Sequence, residues 1–404
     1  MIYILRIYFK FIFIYLNTKY WSEKLPKEAI WIYDEEKYRK SQEYEKTKHR
    51  YSLFTRTFSF LVLIVFFAIW GFWYLDIFLR NYIDNALLLT LCFFWIISLS
   101  QIILDIPFSY RETFVIEEKF DFNKSTKKIF FFDILKSVFV SFVIWFLLLS
   151  LVFFVYQKLW NNFWIIAWWI LSFFSIFMMM FASNIIVPLF NKQTPLEDWE
   201  LRDEIEKFSK EVWFKLDNIF IIDWSKRSSK ANAYFTWFGP KKRIVLFDTL
   251  IKDLEKEEIV AVLAHEIGHY KKKHSLQMLV FSILQIWFMV YFFSLALSIN
   301  EVSLALWWTV PSFHLWLIAF SILFMPLSIV LWVFWNIWSR KNEYEADNFA
   351  WLNYKSLHLQ NALKKLTTNN LSNLRPHPWY EFFYYSHPTV LKRLANLENL
   401  KKHE

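Results

Sequence analysis

The chain reads as an all-α polytopic membrane protein with a small β element outside the bilayer, and three observations predict it. Hydrophobic residues make up 56% of the 404 residues and aromatic residues 22%. Continuous apolar runs occur at 58–75, 87–106, 137–156, 163–189, 275–297 and 312–335. Each is close to the roughly 20 residues that a helix needs to cross a hydrocarbon core of about 30 Å. A further run at 2–16 is shorter and holds Arg6 and Lys10. With no small-residue cleavage site after it, it reads as a weak first span, which brings the expected number to about seven.

Seven spans place the loops alternately on two sides, and lysine and arginine choose between the sides. Segments 17–57, 107–136, 190–274 and 336–404 hold nearly all the basic residues. By contrast, 76–86 carries only Arg80, 157–162 only Lys158, and 298–311 neither lysine nor arginine. This bias predicts a multi-pass protein of the cell membrane with its N-terminus outside and its C-terminus in the cytoplasm. The net charge of +9 is then a signature of orientation in the lipid bilayer. No basic-aromatic motif accompanies it, so a nucleic-acid partner is not expected. The single cysteine, Cys92, lies inside an apolar run, which excludes a disulfide framework and a cysteine metal cluster. Two domains follow: 1–189 as a membrane domain of five spans with cytoplasmic loops, and 190–404 with two further spans, 275–297 and 312–335.

The second domain opens on a strand-like stretch, Ile219–Asp223, and another at Arg243–Phe247. Next comes His265-Glu266-Ile267-Gly268-His269, whose flanks ask for a helix. Glu255-Lys256-Glu257-Glu258 supplies an acidic first turn, and Ile259, Val260, Val262 and Leu263 supply apolar cover. Positions four apart share a helix face, so His265 and His269 can grip one metal ion. Two neutral imidazoles suit one Zn²⁺, and Glu266 is placed as general base toward a metal-activated water. That arrangement makes a hydrolase the leading reading.

A catalytic zinc normally has three protein ligands and one open position. The third candidate is Glu343, in Ser339-Arg340-Lys341-Asn342-Glu343-Tyr344-Glu345-Ala346-Asp347. His269 lies six residues before the span that begins at 275, and Glu343 eight after the span that ends at 335. At 1.5 Å per residue both stand about 9–12 Å from the same membrane face. Asp347, one turn further on, can accept a hydrogen bond from a ligating imidazole and fix its tautomer. Glu345 competes for the role of third ligand but faces roughly the opposite side of the helix from Glu343. His274 reads as an interfacial residue. A membrane scaffold or transporter with a structural metal is the non-enzymatic alternative. Structural zinc is usually closed by four ligands, often cysteines, and neither is evident here.

Several further stretches resemble the type I CAAX prenyl protease family, integral-membrane zinc metalloproteases of the gluzincin type. Residues 33–44 (YDEEKYRKSQEY) and 113–120 (TFVIEEKF) are similar to that family's N-terminal domain. Residues 188–192 (PLFNK), 228–235 (SSKANAYF) and 243–250 (RIVLFDTL) resemble its linker, substrate segment and the approach to the zinc helix. The resemblance implies a helical shell around a chamber, with a cytoplasmic zinc metalloprotease domain inside it. By position it implies His265, His269 and Glu343 as zinc ligands and Glu266 as base. It further implies Asn232 as the residue that holds substrate backbone, and His387, in Ser386-His387-Pro388-Thr389, as the residue that assists the transition state. Arg340, Asp347 and Arg393 are implied as supports of these. Arg243–Phe247 could present a strand edge to which a peptide substrate adds. The expected partner is a peptide or protein substrate, lipidated in the family's eukaryotic members.

One compositional fact stands apart. Glycine occurs 3 times where a usual frequency of about 7% predicts about 28, and tryptophan occurs 23 times. Trp31, Trp199, Trp213, Trp224 and Trp237 fall where the family pattern resembles glycine. Several of these positions lie in turns or at helix ends, where glycine is favoured. The expectation is that the source reads UGA as glycine and that this translation wrote tryptophan. Such recoding suggests a bacterium, in which prenylated CAAX proteins are not expected. A wider role in trimming or clearing membrane proteins is then the alternative substrate reading.

Overall fold

The computed structural model describes residues 2–159, 162–197, 199–216, 218–236, 243–297, 299, 312–354 and 356–401. Trp237 and the connection at 300–311 lie outside them. The membrane half comprises α1 (Ile2–Thr18), α2 (Glu35–Ala68), α3 (Gly71–Arg80), α4 (Ala86–Arg111), α5 (Lys127–Lys158), α6 (Phe163–Ile185) and the short α7 (Val187–Phe190). Beyond it follow α8 (Trp199–Glu211), α9 (Asp248–Asp253), α10 (Lys256–Lys271), α11 (His274–Leu297), α12 (Phe313–Leu323) and α13 (Met325–Asn353). The chain closes with α14 (Ser356–Asn369), α15 (Pro378–Tyr384) and α16 (Val390–Lys401).

Among the described residues five helical segments are long and apolar enough to cross a membrane: Glu35–Ala68, Ala86–Glu117, Lys127–Lys158, Phe163–Phe190 and His274–Leu297. The bent pair α12 and α13 makes a sixth. These spans keep large apolar side chains on the outside, with Phe139 68% and Phe173 71% exposed. That is the pattern of surfaces solvated by lipid tails.

Two expected spans are not continuous. The run at 58–75 is split between α2 and α3, because Trp70 takes a left-handed backbone (φ 62°). At the next residue the ring of Phe66 lies 2.5 Å from where a Cβ of Gly71 would sit. Any larger residue at 71 would force the Phe66 ring to move. The run at 312–335 bends by 54° between α12 and α13. Pro326, at the start of α13, has no N–H to give the preceding turn, and the helix breaks there. The expected first span forms α1, a helix of 17 residues, shorter than any of the segments counted above, of which the shortest, His274–Leu297, has 24.

The β element is a four-stranded sheet of order β1-β2-β4-β3: β1 (Gln193–Pro195), β2 (Asn218–Ile222), β3 (Ala233–Thr236) and β4 (Arg243–Phe247). β2 and β4 run parallel, and β3 lies antiparallel on β4 with Ala233 opposite Leu246. β4 is therefore interior, and the expected free edge at Arg243–Phe247 is taken on both sides. The strand open to a further partner next to it in the sheet is β3.

Behind the sheet, Ile244 and Leu246 pack with Ile259, Val260, Leu263 and Ile267 of α10 in one core, all essentially buried. Burial of this order is worth about 1.5–3 kcal/mol per large side chain. α10 starts on a capping box in which Glu255 and Glu258 satisfy each other's backbone N–H groups. Lys365 of α14 holds the buried Glu258 carboxylate at 2.8 Å. The zinc-motif helix is thus fixed from its first turn and enclosed along its length.

Candidate metal centre

α10 places His265 and His269 on one face, one turn apart, with the ring centroids 4.8 Å from each other. α13 crosses this face at close range because the crossing point is Gly268. A Cβ there would meet the Cα and carbonyl oxygen of Ala346 at 3.0 Å and the Cβ of Phe349 at 3.1 Å. Backbone contact this tight brings Glu343, one turn before Ala346, level with both imidazoles.

Nε2 of His265 and Nε2 of His269 lie 3.2 Å apart. Glu343 Oε2 is 3.5 Å from the first and Oε1 3.4 Å from the second. Ligands about 2.0–2.1 Å from a tetrahedral zinc stand about 3.3 Å from one another. The two rings already stand at that spacing, Glu343 offers a different oxygen to each, and one donor atom from each of the three residues lies within 4.8 Å of the others, close enough for one ion to draw them together. Among the described residues His265, His269 and Glu343 are the group of donors that could hold a metal ion.

The surroundings fix these donors electrostatically. His265 Nδ1 faces Asp347 Oδ1 at 2.8 Å, so it carries the proton and leaves Nε2 free for metal. Asp347 is fully buried and takes two hydrogen bonds from Arg393, Nη2 to Oδ1 at 2.6 Å and Nε to Oδ2 at 2.8 Å. Arg393 also lies 3.5 Å from Glu343. Burial disfavours the Asp347 carboxylate, yet the Arg393 and His265 charges hold it below its ordinary range. Burial likewise opposes Glu343, and hydrogen bonds from His265 and His269 keep it far below the usual carboxylate range. Burial and Arg393 oppose protonation of His265, but Asp347 and Glu343 outweigh them and lift it to about 9 without metal. Burial raises the carboxyl of Glu266, with the neighbouring positive charges opposing. A raised carboxyl beside a metal triad suits proton transfer.

The other expected residues separate into two groups. His387 reaches the centre, with Nδ1 3.4 Å from Glu343 Oε1, and its side chain is 63% exposed. Arg340 does not touch the triad. Its Nη1 donates to the carbonyls of Tyr385, at 2.5 Å, and Phe382, at 3.2 Å, at the end of α15. It thereby clamps the turn that leads to His387. Asn232 is exposed at the start of β3, where its Oδ1 accepts from Ala233 N at 2.8 Å. Among the described residues it makes no hydrogen bond or ion pair to the triad.

The sequence reading missed one partner. His274, expected at the membrane interface, is buried, and its Nδ1 lies 3.0 Å from His269 Nδ1. Its Nε2 meets Glu345 Oε2 at 3.2 Å. Glu345, the rival third ligand, thus stands behind a ligand and is not one itself.

Two imidazoles and a carboxylate grouped closely enough to hold one ion, on two helices that continue into membrane spans, define an integral-membrane zinc metallopeptidase. Residues 15–192 match the family described as "CAAX prenyl protease N-terminal, five membrane helices", and residues 195–401 match peptidase family M48. The chain is 36% identical to CAAX prenyl protease 1 of Saccharomyces cerevisiae, over 90% of this chain and 86% of the relative. It is 30% identical to the human CAAX prenyl protease 1 homolog, over 94% and 90%. The crystal structure of S. mikatae Ste24p superposes with a TM-score of 0.90 at 34% identity, covering 98% of this chain and 97% of that one. The chain belongs to the CAAX prenyl protease 1 (Ste24) family of M48 metallopeptidases.

Proposed function

We propose that this protein is a zinc endopeptidase that cleaves near the C-terminus of membrane-associated, CAAX-type proteins, with its centre toward the cytoplasm and its N-terminus outside. The observation that carries the reading is the convergence of His265, His269 and Glu343, one donor atom from each lying within 4.8 Å of the others. Relatives named CAAX prenyl protease 1, similar along nearly the whole chain, support the substrate class.

His265, His269 and Glu343 would hold the zinc, which when bound supplies a Lewis acid that polarises a peptide carbonyl and acidifies water. The remaining steps belong to the chain itself. Glu266 takes the proton of the attacking water and passes it to the leaving amine. His387 donates to the oxygen on which negative charge develops, and Arg340 keeps the His387 turn in place. The open edge of β3, with Asn232 at its start, aligns an extended substrate by backbone hydrogen bonds.

A second reading, clearance of membrane proteins without regard to a lipid, is favoured by the glycine–tryptophan balance and the bacterial source it suggests. Purified protein assayed on farnesylated and plain CAAX peptides separates the two. The first reading expects cleavage of the farnesylated peptide with a clear preference; equal cleavage of both overturns it. Glu266→Gln should keep zinc and lose nearly all proteolysis, on the order of the 10²–10⁴-fold that a general base supplies. Wild-type rates in that variant would refute the assigned base. A non-catalytic scaffold would show no cleavage that a chelator abolishes.

A further inference from the structure

We propose that His274 and Glu345 form a positioning relay for the metal ligand His269. The proposal rests on the metal-centre reading and goes beyond it. His269 presents Nε2 to the triad and Nδ1 to His274 Nδ1 at 3.0 Å, while His274 Nε2 meets Glu345 Oε2 at 3.2 Å. One set of tautomers satisfies every contact. Glu345 accepts from His274 Nε2–H, His274 Nδ1 accepts from His269 Nδ1–H, and the lone pair of His269 Nε2 is left for the metal.

The backbone is bent to make this contact. On an unbroken helix, five residues turn the chain by about 500°, which would carry His274 well off the His269 face. Instead α10 ends, and Lys273 adopts a left-handed conformation with φ 60°. α11 then begins at His274, whose side chain is 4% exposed. A non-glycine residue held in this region is strained, and such strain persists only where its surroundings enforce it. The result is that a buried imidazole returns onto the ligand. Glu345 is 37% exposed and lies 3.7 Å from Lys341, so the relay ends at the protein surface.

The test uses the full-length protein in detergent and reads metal binding, not turnover. Zinc affinity is measured by chelator competition, and the site's symmetry by the visible spectrum of the cobalt-substituted protein. His274→Ala should weaken zinc by about 10–100-fold and shift the cobalt bands. His274→Asn, which keeps an acceptor near the place of Nδ1, should restore most of the affinity and the spectrum. Glu345→Gln, at the exposed end, should give a smaller loss in the same direction and covers the case in which His274→Ala fails to fold. Wild-type affinity and spectrum in His274→Ala, or in Glu345→Gln if only that variant folds, would overturn the relay. So would His274→Asn as impaired as a folded His274→Ala. A wild-type chain that bound no zinc would instead refute the metal centre itself.

A separate observation carries a second inference. We infer that residues 70 and 213 are glycine in the protein as its own cell makes it. α8 ends in a Schellman motif: Phe214 N–H donates to Ser209 C=O at 2.7 Å and Trp213 N–H to Lys210 C=O at 3.0 Å. The residue between the two turns, Trp213, has φ 53°, and its side chain is 91% exposed. This is the position where glycine dominates helix ends, and an indole in water gains nothing there by packing. Trp70 holds the matching left-handed position after α2, with φ 62° and one of the two bonds of the motif, its N–H donating to Phe67 C=O at 3.0 Å. Trp31, Trp199 and Trp224 are not among the left-handed residues, so backbone geometry makes no such case for them. Peptide mass spectrometry of protein from the native cell reads the residues directly. Glycine at 70 and 213 is expected, and tryptophan at both, or at either, overturns the inference for that position.

Discussion

The two imidazoles of the centre are supported in different ways. His265 rests directly on Asp347, a fully buried carboxylate that Arg393 grips with two hydrogen bonds. His269 rests on His274, a neutral ring in the proposed tautomer, whose carboxylate partner Glu345 is part exposed. A buried charge pair fails as a block, because removing one member strands the other in low dielectric. A neutral ring backed by a surface carboxylate fails only in geometry. The His265 side is therefore expected to govern stability together with metal binding, and the His269 side metal binding alone.

Arg393→Ala should have the largest effect. It leaves Asp347 and Glu343 buried with only the His265 imidazolium to offset two carboxylates, which costs about 3–5 kcal/mol of stability. Denaturant unfolding of the metal-free protein measures it, and a loss no larger than that of His274→Ala would erase the contrast. Gly268→Ala should come next, since the backbone of α13 at Ala346 would have to give by a few tenths of an ångström to admit the new methyl. A cost of about 1–3 kcal/mol and weaker zinc binding are expected together, because both sides of the centre move.

Acidity separates the two sides further. His265 is raised from 6.5 to about 9 in the metal-free protein. The stability this proton contributes is fully present below pH 6.5 and is lost as the pH climbs through about 9. Asp347 is lowered, so its contribution is present above the ordinary carboxylate range and is lost on acidification. The melting temperature of metal-free protein should therefore decline between pH 6.5 and 9. Zinc affinity should rise over the same interval as the competing proton leaves His265. A melting temperature that is flat there would contradict the pairing with Asp347.

Trp213→Gly should have the smallest effect and the opposite sign. Relief of the left-handed conformation should add about 1 kcal/mol, read as a higher melting temperature with zinc affinity unchanged.

The membrane spans were legible because lipid-facing helices are apolar on nearly every side, so composition alone marks them. Their breaks were less so. Pro326 was in plain view inside the last run, but Trp70 gave no hint of a turn, since tryptophan seldom adopts a left-handed conformation. The triad was legible because His265 and His269 obey helical spacing and Glu343 could be matched by depth from the bilayer. His274 was hidden for the converse reason: helical spacing turns it away from His269, and only the bend at Lys273 returns it. The interior place of β4 was also beyond the sequence, because strand order depends on pairings between segments far apart in the chain.

The central claim is that two imidazoles and one carboxylate hold a single zinc. X-ray absorption at the zinc edge of the purified wild-type protein tests it most directly. The expected spectrum shows one zinc per chain with nitrogen and oxygen neighbours at about 2.0–2.1 Å, two of them imidazoles. A protein without zinc, or a shell with sulfur at about 2.3 Å, would contradict it.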